Sequence, residues 1–189
     1  MNFNKDTKNK DRKFIVSLAW VLIGFTAYSA VMSLAQGLMF LEKPPKEILT
    51  GYFENIDIYA LLPSGLTYIL ENIYIELSFA SFIFSLALLY PSIALLKFHN
   101  WARIFWAVFM IATIFIGIAG LFYIDLFMPQ LPASQFPPHI IASMERMYYI
   151  FYLASALIIF IFHAWVAYKL LCKDIKKEFE AAQEIITKK

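Results

Sequence analysis

His163 is the one titratable side chain lying well inside an apolar run of this chain, in Phe160-Ile161-Phe162-His163-Ala164-Trp165. An ionisable group in such a run is a functional candidate by default, because lipid offers it no compensating partner. Two chemistries are open to it. The imidazole could move protons beside a solute path lined by Gln36 and a row of serines. It could equally be a packing residue, hydrogen-bonded across to a serine or carbonyl of another helix. No second titratable residue sits at matching depth to exchange a proton, which favours the packing role.

Other chemistries lack their residues. A single cysteine, Cys172, excludes an intramolecular disulfide and a multi-cysteine metal site. There is no Gly-rich phosphate loop and no His-Glu-x-x-His pair. Ser64 in Pro-Ser-Gly lacks the flanking glycine pattern of a nucleophile elbow. Glu71, Glu76, Asp125 and Glu145 could gather a cation if the fold converged them; as solvated rim charges they need no such partner. His139 reads as a surface histidine. The expectation is a protein with no catalytic, cofactor-binding or metal-binding set.

The elements that must position these residues are long and apolar. Of 189 residues, 61% are hydrophobic and 16% charged, against about 25% charged in soluble domains. A run of about 20 apolar residues crosses about 30 Å of hydrocarbon. Four such runs are present, near Phe14–Leu41, Tyr74–Leu96, Trp101–Phe127 and Met147–Leu171. They predict an all-α membrane bundle of four antiparallel spans, a transmembrane domain over 14–171. Ala27-Tyr28-Ser29 has the small residues of a signal cleavage site, but the apolar run continues to Leu41, which predicts a retained span.

Small residues mark the faces by which these helices should pack. In lipid no hydrophobic force separates helix from solvent, so close backbone approach drives association. Thr26, Ser29, Ala30, Ser33, Gln36 and Gly37 follow helical spacing on the first span. Ser78, Ser85 and Ser92 form a heptad seam on the second, continuing from Glu71. Thr113, Gly117 and Gly120 share a face on the third. Pro91 should kink the second span, with Ser92 placed to serve the carbonyl it frees.

The polar segments give orientation. Residues 1–13 form a basic arm expected to be disordered; nothing aromatic beyond Phe3 interleaves its charges, so nucleic acid is not an expected partner. Residues 1–13, 97–103 and 169–189 hold thirteen of the 16 Lys and Arg; Lys43, Lys46 and Arg146 make up the rest. The positive-inside bias therefore puts both termini and the Lys97–Arg103 hairpin in the cytoplasm. Pro44-Pro45 should end the first span. Ile48, Tyr52, Phe53 and Ile56 then predict a short surface helix, broken at Pro63-Ser64-Gly65. Pro129, Pro132, Pro137 and Pro138 exclude regular structure over 128–145. Tyr148, Tyr149 and Tyr152 predict an outer aromatic belt; Trp101, Trp106, Trp165 and Tyr168 predict an inner one. In the tail, 172–189, Ile175, Phe179, Ala182 and Ile186 recur at helical spacing, predicting an amphipathic helix that rests on headgroups or pairs with a partner.

The hairpin Lys97-Phe98-His99-Asn100-Trp101-Ala102-Arg103 resembles one found in small four-span bacterial membrane proteins without a known activity, where a basic residue, a short gap and Trp-Ala-Arg join two helices. The resemblance covers these seven residues and implies a bacterial inner-membrane setting. Physically, Lys97 and Arg103 should reach lipid phosphates while Trp101 anchors among the headgroups. The function class favoured is a non-enzymatic multi-pass protein acting by association with the bilayer, a protein partner or a second copy of itself. The alternative is an oligomeric small-solute or proton-linked transporter or channel subunit using His163 and Gln36.

Overall fold

The computed structural model describes residues 3–42, 68, 73–124 and 138–187, with side chains placed for 10–41, 68, 73–124 and 138–184. Among them are five helices and no strand: α1 (Phe3–Glu42), α2 (Tyr74–Leu96), α3 (Asn100–Leu121), α4 (Pro138–Leu171) and α5 (Lys173–Thr187). The first four are long and apolar enough to cross a membrane. Helix is the only open-ended structure suited to that role, since it satisfies every interior backbone group within the segment. The expected surface helix around Ile48–Ile56, the Pro63-Ser64-Gly65 break, Glu71 and Asp125 lie outside the described residues.

Three boundaries differ from expectation: α3 ends at Leu121, short of Phe127, and two helices start early. Helix α1 starts at Phe3, so the basic arm expected to be disordered is helical from there. Extending a helix already anchored by its apolar stretch costs far less than nucleating a new one. Helix α4 starts at Pro138, nine residues before Met147, so part of the segment expected to be irregular is helical. Proline is tolerated at a first helical position because that amide needs no intrahelical acceptor. Helix α3 closes with two tight i−3 bonds, Phe122 N to Ala119 O and Tyr123 N to Gly120 O, both 3.1 Å.

Helix α2 passes through Pro91 without interruption. Proline there frees the carbonyl of Ala87, four residues back. The Ser92 hydroxyl does not serve that carbonyl; it donates to Leu88 O at 2.7 Å, back along its own turn.

The chain divides into two compact units. The first comprises Met1–Met32, Ser81–Phe115 and Ile161–Lys189. Its core gathers Ile15, Leu18, Ala19 and Leu22 of α1, Ala94 and Leu95 of α2, Trp106 and Met110 of α3, Val166 and Leu170 of α4, and Ile175 and Phe179 of α5. Helices α1 and α2 share a polar bond here: Ser85 Oγ donates to Ser29 Oγ at 3.0 Å. Thr26 is buried too, but its hydroxyl turns back to Leu22 O at 2.8 Å. Interhelical side-chain bonds in membranes contribute about 0.6 kcal/mol on average. Ser85→Ala should therefore lower stability by roughly that amount. Adding Ser29→Ala should cost little more, because the shared bond is already gone; a double-mutant cycle of unfolding in detergent checks this, and additive losses would show that the bond contributes nothing.

The second unit comprises Ser33–Ala80 and Ile116–Phe160. Here glycines face rings. A β-carbon built on Gly37 would meet the Phe79 ring at 3.3 Å. One on Gly117 would lie 2.5 Å from Phe160 Cε1 and 2.9 Å from Cζ. Phe40 and Tyr74 meet edge to face at 4.7 Å. Ser33 and Ser78 are buried, and Ser78 Oγ donates to Tyr74 O at 2.8 Å.

Candidate functional site

The densest set of non-routine interactions in the first unit surrounds the hairpin between α2 and α3. Helix α2 ends in two capping bonds: Phe98 N donates to Leu95 O and His99 N to Ala94 O, both 3.0 Å. This pairing demands a left-handed residue at the first position beyond the cap, usually glycine. Phe98 occupies it, with φ 57°. A side chain in this region costs about 1–3 kcal/mol and persists only where its surroundings hold it. The Phe98 ring is so held: Phe179 of α5 packs at 5.4 Å and the Arg12 guanidinium of α1 lies 5.5 Å from its centroid. The His99 carbonyl then receives the Ala102 amide at 3.0 Å and starts α3.

One turn into α3 stands Arg103, only 5% exposed. Its Nη1 donates to the Leu170 carbonyl of α4 at 2.8 Å, and its Nε donates to Asn100 Oδ1 at 2.9 Å. Its guanidinium lies 5.9 Å from the Phe179 ring centroid. The reason lies at the end of α4. A helix leaves its last carbonyls unpaired, and they carry partial negative charge. Helix α4 stops at Leu171, next to the Cys172 bend, and Arg103 serves one of those carbonyls. Arg103 was expected among lipid phosphates; instead it joins α3, α4 and α5. A periodicity reading has no term for a helix end on another segment, so this role was not legible in advance.

Helix α5 closes the arrangement. Ile175 and Phe179 are fully buried against this chain's own helices. Its outward face holds an exposed Lys176–Glu180 pair at 3.5 Å, of a kind that contributes about 0.3–0.5 kcal/mol.

The tryptophans divide. Trp106, expected at the membrane interface, is 2% exposed, and its indole N–H has no hydrogen-bond partner among the described residues. It packs edge to face with Phe109 at 5.3 Å, filling the core by its area rather than by its polar edge. Trp101 and Trp165 stay exposed; Trp165 also meets Phe14 edge-on at 5.5 Å. Lys97 is exposed.

The remaining candidates fall in different places. His163 belongs to the first unit and is half-buried, its ring edge-on to Phe162. Gln36 belongs to the second unit and is half-buried. The hydroxyls of Ser78, Ser85 and Ser92 donate to Tyr74, Ser29 and Leu88. Gly120 has more room than Gly117: a β-carbon there would stand 3.9 Å from the Tyr152 hydroxyl. Glu76 and Glu145 are exposed, and no three His, Cys, Asp or Glu side chains converge on a metal-sized site among the described residues.

The arrangement around Arg103 ties helices α3, α4 and α5 together. Compared with protein-family models, curated proteins and solved structures, the chain matches none.

Proposed function

We propose that this chain is a multi-pass protein of a bacterial inner membrane that acts by association with a membrane or protein partner rather than by catalysis. Its four spans run antiparallel, with both termini and the 97–99 hairpin on the cytoplasmic side. The bias of thirteen Lys or Arg against three supports that orientation.

The observation that carries the association reading is the surface of α4. Only 11% of its most apolar 18-residue window is buried within the chain, while Phe151, Ile158 and Ile161 stand outward. So much apolar flank is covered in the membrane by lipid or by another helix. Several polar groups support the same reading: Thr26 and Ser92 turn back on their own helices, and Arg103 caps the end of α4.

Co-purification of the tagged full chain from its native membrane tests the association. A partner, or a second copy, should remain through mild detergent; a single chain with lipid alone would reduce the reading to bilayer contact. Orientation is checked with the native thiol removed by Cys172→Ser. A membrane-impermeant maleimide applied to intact cells should label Glu145→Cys and spare Lys177→Cys, two exposed positions at opposite ends of α4–α5.

His163 decides the competing transport reading. Proteoliposomes containing the full chain should show no pH-dependent solute flux, and His163→Gln should fold normally, because an amide can still donate and accept. A flux present in the parent and lost in a stably folded His163→Gln would replace association with transport.

A further inference from the structure

Beside the hairpin, within the first unit, lies an open recess of about 250 Å³ lined by Tyr90, Ile93, Ala94, Lys97, His99 and Trp101. Its construction is two-sided. Tyr90 and Trp101 stack at 5.3 Å with planes 25° apart; Tyr90 is largely exposed and Trp101 partly so. Ile93 extends this apolar side, and buried Ala94, with no bulk beyond its methyl, leaves depth beneath it. The other side is polar and basic. Lys97 makes no ion pair among the described residues, and neither α2 beyond Glu76 nor α3 carries an acidic residue. His99 lines the recess beside Lys97.

We propose that this recess binds the phosphodiester headgroup of an anionic phospholipid, with Lys97 opposite the phosphate and Tyr90, Ile93 and Trp101 against the adjoining glycerol and acyl carbons. A free phosphate would satisfy the ammonium equally well. It would leave the aromatic and aliphatic side uncovered in water, and that side is what selects a lipid. Arg103 takes no part, since its guanidinium is held by Leu170 and Asn100. The positive charge at the recess therefore comes from Lys97, a compact point charge suited to a single phosphate. Net anionic lipid is favoured over zwitterionic lipid because a choline ammonium would face Lys97 with like charge. The proposal rests on the reading that these helices cross the membrane and that the hairpin lies at its surface.

The test uses the full chain in mild detergent, with lipid retention read by native mass spectrometry. The probes are short-chain phosphatidylglycerol, short-chain phosphatidylcholine and free glycerol 3-phosphate. The parent should retain phosphatidylglycerol over phosphatidylcholine by about five-fold, the scale of one lysine near an anionic headgroup. Lys97→Gln should abolish that preference, Trp101→Leu should weaken retention of both lipids, and Lys177→Gln on the exposed face of α5 should change neither. An unchanged preference in Lys97→Gln, or an equal loss in Lys177→Gln, would overturn the site. Glycerol 3-phosphate competing as well as the lipid would assign the recess to a soluble anion and overturn the lipid assignment. Alkaline carbonate washing of membranes separates the two levels. A chain that stays in the pellet but lacks the preference loses only this site; a chain released by carbonate loses the membrane reading and the site with it.

Discussion

Arg103→Ala is expected to destabilise the first unit and release α5. The substitution removes the donor to Leu170 O and to Asn100 Oδ1, and the cation beside Phe179. A buried carbonyl left without its donor costs about 1–3 kcal/mol, and the void left by the long side chain adds to it. Arg103→Lys should recover part of the loss, because an ammonium can serve one carbonyl but cannot present the planar fork that reaches Asn100 as well. Arg103→Leu restores volume and strands the same carbonyl, so it should resemble alanine more than lysine. Thermal unfolding in detergent gives the ranking. Limited trypsin digestion gives the location: with Ile175 and Phe179 no longer seated, cleavage after Lys176 and Lys177 should accelerate before global unfolding. An Arg103→Ala protein that melts with the parent and keeps a protected tail would show that the guanidinium is incidental.

Gly117→Leu should have an effect of similar size in the second unit, for the opposite reason. There is no space for even one added carbon: a β-carbon meets the Phe160 ring at 2.5 Å. The ring or the helix must move, and overpacking of this kind typically costs about 1–3 kcal/mol. Gly117→Ala already requires the ring to turn, so it should be destabilising despite the higher helix propensity of alanine. Gly24 supplies the control. Nothing stands within 4 Å of its β-carbon position, so Gly24→Ala should stabilise by up to about 1 kcal/mol through propensity and a less flexible unfolded chain. Adding Phe160→Leu to Gly117→Ala should restore part of the stability by giving the new methyl room. Melting temperatures of the four proteins check the set, and a Gly117→Leu protein as stable as the parent would remove the close contact from the account.

The four long apolar helices were legible in the chain alone because hydropathy accumulates residue by residue along a segment, and α2 covers its apolar run from Tyr74 to Leu96 end to end. Glycine positions were legible as places where something must come near, but not what: the rings of Phe79 and Phe160 lie far from Gly37 and Gly117 in sequence. Helix ends were less legible. The charges of residues 3–13 and the prolines before His139 argued locally against helix, and cooperative extension and the tolerance of a first-turn proline outweighed them.

What the sequence determined by itself is the class of the protein: an all-helical chain with four segments able to span hydrocarbon, and a short hairpin joining two of them. Segment length and apolar content suffice for that, since lipid demands internally satisfied backbone whatever the neighbours are. What only the tertiary structure decided is the direction of individual side chains at the hairpin. Arg103 and Lys97 are six residues apart and both cationic, yet one is buried and the other exposed. The difference is the unpaired carbonyl at Leu170, which exists only because α4 ends beside α3. Trp106 is drawn into the core, and Phe98 is held left-handed by Phe179 and Arg12 of other helices, contacts that no local pattern contains.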